Sequence, residues 1–148
     1  MSSRAYSEIN LHIVWHVKDK VRVLNGDIER FLQKHIEARV RETPGAQLHA
    51  IGGTDDHVHL AVSAAPELPI SKWVGELKGA GSYYINHRIA NRKALEWQAG
   101  YGVVSFGTRS LPWVVGYVRK QRQHHAKGTS RSRLERSTAD EPQRCWRA

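Results

Sequence analysis

The feature that most constrains this chain is a repeated switch of hydrophobic period along its length. Between Tyr6 and Val17 the apolar residues Ile9, Leu11, Ile13, Trp15 and Val17 fall at every second position, the period of a strand that buries one face. After the turn Asn25-Gly26-Asp27, with Asp27 placed to cap a helix, Ile28, Phe31, Leu32, His35, Ile36 and Val40 recur at helical spacing. Pro44-Gly45 stops that helix. Ala46–Gly52 and His57–Ser63 read as two further strands, and the turn-rich Gly53-Thr54-Asp55-Asp56 between them predicts a hairpin. Pro69 opens a second helix with the stripe Ile70, Trp73, Val74, Leu77, Tyr84 and Ile85. Gly79 and Gly81 interrupt it at about 1 kcal/mol each relative to Ala, which points to close packing or to an approaching ligand. Tyr101–Phe106 is a fourth strand, and Ser110 with Pro112 opens a last helix running to about Ala126.

The resulting order, β-α-β-β-α-β-α, begins with the ferredoxin-like split arrangement. It predicts an α+β fold, an antiparallel sheet with helices on one face, followed by a C-terminal helix. The fold hosts many functions, so the function has to be argued from side chains.

Size and charge narrow the field. The 148 residues suit one compact domain with a real core. The single cysteine, Cys145, excludes an intramolecular disulfide framework and a cysteine-rich metal site. No apolar run approaches the ~18 residues of a membrane span, and Met1-Ser2-Ser3-Arg4 leads into no signal-peptide core, so a cytoplasmic protein without a membrane partner is expected. Lys and Arg outnumber Asp and Glu 23 to 14, a formal charge of +9 that favours a polyanionic partner through counterion release. Most of this excess lies before Lys127, so the body itself is basic. The expected division is a folded domain over residues 1–127 and a basic C-terminal tail over 128–148, polar and weakly periodic, either flexible or docked on a partner.

The sharpest local feature is His57-Val58-His59. In a strand, residues i and i+2 share a face, so both imidazoles project together and can converge on one divalent cation. A histidine pair alone is frequent by chance in a chain with nine histidines, and two ligands leave coordination positions open. The last helix offers Tyr117 and Gln121, four residues apart and on one face. A Gln carbonyl oxygen suits a hard cation such as Mg²⁺ or Mn²⁺. A phenol is a poor nucleophile at neutral pH unless nearby positive charge stabilises its anion. In isolation Tyr117 reads as a core-edge aromatic and Gln121 as a solvated polar residue.

Asp56-His57-Val58-His59-Leu60, then Trp97-Gln98-Ala99-Gly100-Tyr101-Gly102, then Tyr117-Val118-Arg119-Lys120-Gln121 followed by His124-His125 together resemble the IS200/IS605-type transposases, single-tyrosine enzymes of the HUH (His-hydrophobe-His) superfamily. The likeness runs from about Ala5 to Lys127 and includes Leu77-Lys78-Gly79. It implies that His57, His59 and Gln121 hold a divalent metal, Mg²⁺ or Mn²⁺, and that Tyr117 attacks a phosphodiester in single-stranded DNA. The product it implies is a 5′-phosphotyrosine and a free 3′-hydroxyl, with cleavage and rejoining as one reversible transesterification. It further implies recognition of imperfect hairpins at element ends and a homodimer, in which the tyrosine helix of one subunit completes the histidine site of the other; a branch associated with repetitive extragenic palindromes includes monomers. Lys120 departs from the pattern, since relatives often carry Asn there. Two other functions fit the same residues: a domesticated, non-catalytic DNA- or RNA-hairpin-binding relative, and a metal phosphoesterase without a covalent step.

Among other candidates, Lys78, Arg119, Lys120 and Arg122 are the expected DNA contacts, with Trp73 and Trp97 able to stack on bases, although taken singly each basic residue reads as solvated surface and each tryptophan as core. His124 and His125 are read as structural or DNA-facing, Tyr83 and Tyr84 as packing residues, and Asp55 and Asp56 as turn residues or as acceptors that orient the histidines.

Overall fold

The computed structural model describes residues 5–137. The elements are β1 (Asn10–His16), α1 (Gly26–Glu42), β2 (Ala46–Thr54), β3 (His57–Ala64), α2 (Ile70–Tyr84), β4 (Gly102–Phe106), α3 (Leu111–Arg119), α4 (Gln121–Ala126) and α5 (Ser132–Glu135). The four strands form one sheet in the order β2-β3-β1-β4, with every neighbouring pair antiparallel. This is the ferredoxin-like order that the alternation of periods predicts.

The period-two pattern sorts side chains onto two faces. Leu11, Ile13, Trp15 and Val17 from the first strand region join Val58, Leu60 and Val62 of β3 in the main core. That core is closed by Leu32, Ile36 and Val40 of α1 and by Trp73, Val74 and Leu77 of α2. Helix α1 begins two residues earlier than the expected cap: Asn25 takes the N-cap position, and Asp27 with Glu29 lies in the first turn, where acidic side chains complement the helix dipole. The two glycines of α2 separate in role. A Cβ on Gly81 would lie 3.1 Å from Leu32 Cδ1, whereas Gly79 faces open space. Close packing between α1 and α2 therefore accounts for Gly81 and not for Gly79.

The opposite sheet face carries a smaller cluster, Ala50, Ala61, Val114 and Val118, under α3. Helix α3 approaches β2 backbone to backbone, since a Cβ on Gly52 would stand 1.9 Å from the Val118 carbonyl oxygen. The single last helix expected from the sequence is broken. Lys120 leaves helical geometry (φ −108°, ψ 28°) between α3 and α4, so the chain changes direction between Tyr117 and Gln121. Nor does the chain leave the body after Lys127. Leu134 and Ser137 are buried, and the Arg136 carbonyl oxygen lies 1.8 Å from where a Gly102 Cβ would be. Residues 128–137 thus fold back as an arm across β4; the remainder of the expected tail, 138–148, lies outside the described residues.

These glycine contacts predict opposite outcomes for two substitutions. Gly52→Ala should lower stability by about 1–3 kcal/mol, the range for forced overpacking, and Gly79→Ala should raise it by about 0.5–1 kcal/mol. Urea unfolding midpoints of the two variants against the parent check both signs.

Candidate active site

The site is built on the α3 face of the sheet, because the apolar residues of β3 take the other face. Val58 and Leu60 are core residues, so His57 and His59 emerge between them on the opposite side, both buried, with ring centroids 4.9 Å apart. Each ring is held at Nδ1. The Asp56 carboxylate lies 2.6 Å from His57 Nδ1 and also accepts from the Thr54 hydroxyl at 3.2 Å. A carboxylate only accepts, so His57 Nδ1 carries a hydrogen and Nε2 is the atom that gains or loses a proton. His59 Nδ1 lies 2.7 Å from His12 Nε2, placed there by the β1–β3 register, which sets Val14 opposite His59 and His16 opposite His57.

The two imidazoles titrate in opposite directions. Burial would depress the His57 pKa, but Asp56 and Glu135 overcome it and raise it to about 9. Burial dominates at His59, lowered to about 4, and at His12, lowered to about 3, where burial and the neighbouring His59 act together.

Tyr117, on α3, is 2% exposed. Its ring stacks on His124 at 4.7 Å and on Trp113 at 5.3 Å and meets His59 edge-on at 6.2 Å. The phenol donates to Glu135 Oε1 at 2.6 Å and accepts from the Arg131 backbone N–H at 2.7 Å. Burial, reinforced by the Glu135 carboxylate, pushes its pKa up to about 12, with the Arg131 amide and the Gln121 side chain acting the other way. In this conformation Tyr117 is a neutral phenol whose oxygen is already engaged. Gln121 opens α4 and is fully buried; its Nε2 donates to the Tyr117 carbonyl at 3.0 Å, which leaves Oε1 without a partner.

Glu135 is the residue that sequence reasoning missed. Carried by the arm, its Oε2 sits 3.0 Å from His59 Nε2 and 3.3 Å from His57 Nε2, while Oε1 lies 3.3 Å from His125 Nε2. Burial would raise its pKa, yet the two imidazoles and the Tyr117 hydroxyl hold it well below the usual carboxylate range. Ligand atoms of His57, His59, His125 and Glu135 all fall within 4.8 Å of one another. Moreover, Gln121 Oε1 is buried without a partner, and His57 Nε2, His59 Nε2 and Glu135 Oε2 are buried against one another. Buried polar atoms in such a state call for an ion or another partner, and nitrogen with hard oxygen donors suits a divalent cation.

The other expected residues separate. Lys78 lies in α2 and donates to the carbonyls of Gln98 and Gly100, both at 2.8 Å. It ties down the Trp97–Gly102 stretch with two of its three N–H groups. Arg122 pairs with Asp55 at 2.7 Å, with Glu29, and with the Leu24 carbonyl, joining α4 to α1 and to the β2–β3 turn. Arg119 and Lys120 are exposed at the α3–α4 break. Trp73 is a core residue bonded to Thr43, and Trp97 donates to the Lys78 carbonyl, so both are engaged in packing. The aromatic beside Tyr117 is Trp113, 49% exposed. Tyr83 stacks on His87 just past the end of α2, and Tyr84 stacks on His35 of α1. A cleft of about 650 Å³ opens next to His57 and is lined by Lys20, Arg22, Asp55, Gln98, Arg122 and His125 among others.

The titrations predict a stability optimum for the metal-free protein. The raised His57 pKa contributes stability that is present below pH 6.5 and lost as pH rises through about 9. The lowered His59 and His12 values contribute stability present above pH 6.5 and lost as pH falls toward 4 and 3. Urea midpoints in a chelator should therefore peak near pH 6.5, and Asp56→Asn should flatten the alkaline limb while leaving the acid limb in place.

Comparison with known proteins accords with this geometry. The profile of the family described as "Transposase IS200 like" matches residues 5–121. The ISDra2 transposase TnpA of Deinococcus radiodurans is 33% identical over 119 residues, covering 77% of this chain and 84% of that protein. A 1.90 Å crystal structure of a proposed transposase from Deinococcus radiodurans superposes with a TM-score of 0.63 at 20% identity, covering 89% of this chain and 98% of the other. A REP-associated tyrosine transposase bound to a REP hairpin superposes with a TM-score of 0.61 at 15% identity, covering 88% and 75%. At these identities the two structures speak for the fold. The match of the family profile to most of the chain goes further, and with it the protein belongs to the IS200-like transposases.

Proposed function

We propose that the protein cleaves and rejoins single-stranded DNA at hairpin-marked element ends through a covalent 5′-phosphotyrosine, with a divalent cation as cofactor. The observation that carries this reading is the convergence, on one sheet face, of the His57–His59 pair with the buried Tyr117 and Gln121. The ISDra2 relative and the hairpin-bound REP-associated transposase support it from outside the chain.

A cation held by His57, His59 and Gln121, Mg²⁺ or Mn²⁺, would polarise the scissile phosphate. The protein's own groups do the rest. Asp56 keeps His57 Nε2 turned inward. His12 does the same for His59 when its Nε2 accepts the Nδ1 hydrogen. His124 and Trp113 sandwich the Tyr117 ring, which fixes the line of attack of the phenol oxygen. That oxygen gives up its proton and forms a bond to phosphorus as the bond from phosphorus to the 3′-oxygen breaks, and the 3′-oxygen takes up a proton and leaves as the 3′-hydroxyl. Attack by another 3′-hydroxyl reverses the step, so the bond energy is conserved and no nucleotide cofactor is required. Before any of this, Tyr117 must exchange its contacts with Glu135 and Arg131 for substrate. Arg119 and Lys120, exposed at the helix break, are positioned to follow the DNA backbone. The homodimer belongs to this reading through the resemblance alone, because the tyrosine and the histidines meet here within one chain.

With an element-end oligonucleotide and Mn²⁺, the parent protein should form a denaturation-resistant protein–DNA adduct, and Tyr117→Phe should form none. Adduct that survives this substitution would falsify the nucleophile; cleavage without adduct would favour a phosphoesterase, and hairpin binding without cleavage a non-catalytic relative. His57→Ala should abolish cleavage while retaining most hairpin affinity. Arg119→Ala and Lys120→Ala should each reduce the slope of log affinity against log salt by about one, measured by anisotropy with a labelled hairpin.

A further inference from the structure

We propose that Glu135, delivered by the C-terminal arm, is itself a ligand of the cation held by His57 and His59, so that cation binding and arm docking are one event. The proposal rests on the metal-dependent reading above and adds a ligand from outside the residues 5–121 that the family profile matches.

Three independent observations carry it. The first is geometric. Donor atoms about 2.1 Å from a common cation and about 90–110° apart are separated by roughly 3.0–3.4 Å. Glu135 Oε2 stands 3.0 and 3.3 Å from the two histidine Nε2 atoms, and all three atoms are buried. They are spaced as neighbours around a shared centre. The carboxylate is also oriented, because its other oxygen accepts from Tyr117.

The second is the seat of the arm. The Arg136 carbonyl occupies the space a Cβ on Gly102 would need, Arg133 donates to the Ser105 carbonyl at 3.0 Å, and Leu134 is buried. The β4 surface thus accepts this backbone only because residue 102 is glycine. The third is charge. Between Gly128 and Ser137 the chain carries three arginines and one carboxylate, and the side chain taken into the site is the carboxylate. A basic arm attracted by a polyanion alone would leave Glu135 outside.

The arrangement has a consequence for access. While Glu135 is bound, Tyr117 is capped by the same carboxylate, so a DNA phosphate and Glu135 compete for one position on the cation.

The test uses the full-length metal-free protein, Mn²⁺ as the probe, and two readouts that do not involve DNA. Calorimetric titration should show Glu135→Ala weakening Mn²⁺ binding at least tenfold, and His57→Ala removing it. Limited trypsin digestion at Arg131, Arg133 and Arg136 should be slowed by Mn²⁺ in the parent and unaffected by Mn²⁺ in Glu135→Ala. Affinity within twofold of the parent for Glu135→Ala, with His57→Ala still abolishing binding, overturns the arm ligand and leaves the metal site standing. Arm protection in the parent that is the same with and without Mn²⁺ also overturns it, as a purely structural contact would give that result. Mn²⁺ binding that survives His57→Ala removes the metal reading as well as the proposal.

Discussion

The register between β1 and β3 is the constraint on which the site depends. It sets Val14 opposite His59 and His16 opposite His57, and the alternation of faces then sends Ile13, Trp15, Val58 and Leu60 into the main core. Burial of that apolar face leaves the histidines no choice of side. A slip of one residue would exchange the faces, placing imidazoles in the apolar core and Trp15 against α3. The hydrophobic effect thus orients polar chemistry that it does not itself involve.

The second level is the treatment of buried polar groups on the other face. His12, His57, His59, Tyr117 and Gln121 are all buried there, a costly concentration unless their hydrogen bonds are met. The paired contacts His12–His59, Asp56–His57 and Gln121–Tyr117 meet part of that demand. His57 and His59 each use Nδ1 in these contacts and turn Nε2 toward Glu135. The two imidazole nitrogens gathered on the Glu135 carboxylate, together with the unpartnered Gln121 Oε1, make this face the place for an ion.

Much of this was legible in the residues. Strand and helix periods predicted the element order, and the His-x-His spacing placed two imidazoles on one face of β3. Asp56, adjacent to His57, was a foreseeable orienting acceptor. His12 was less visible: it lies at the polar phase of an alternating strand, a weak signal, and its contact with His59 depends on a pairing 47 residues apart. Trp73 shows the helical period at work, since its place in the apolar stripe of α2 puts it in the core, whereas the two carbonyls that Lys78 meets, on Gln98 and Gly100, are set by a contact between distant segments. Glu135 was illegible, since a single carboxylate among arginines in a weakly periodic stretch resembles solvated tail.

By itself the sequence determined the α+β order, the apolar face of the sheet and the presence of a histidine pair with a distant Tyr-x-x-x-Gln, because these are properties of spacing within single elements. Only the tertiary structure decided that the last helix breaks at Lys120, that α3 lies directly on Gly52, and that the arm returns to place Glu135 on both imidazoles and the phenol. Those outcomes depend on which backbones can approach without a Cβ between them and on which buried atoms still lack a partner. Both are properties of contacts between segments far apart in the chain, and no local pattern records them.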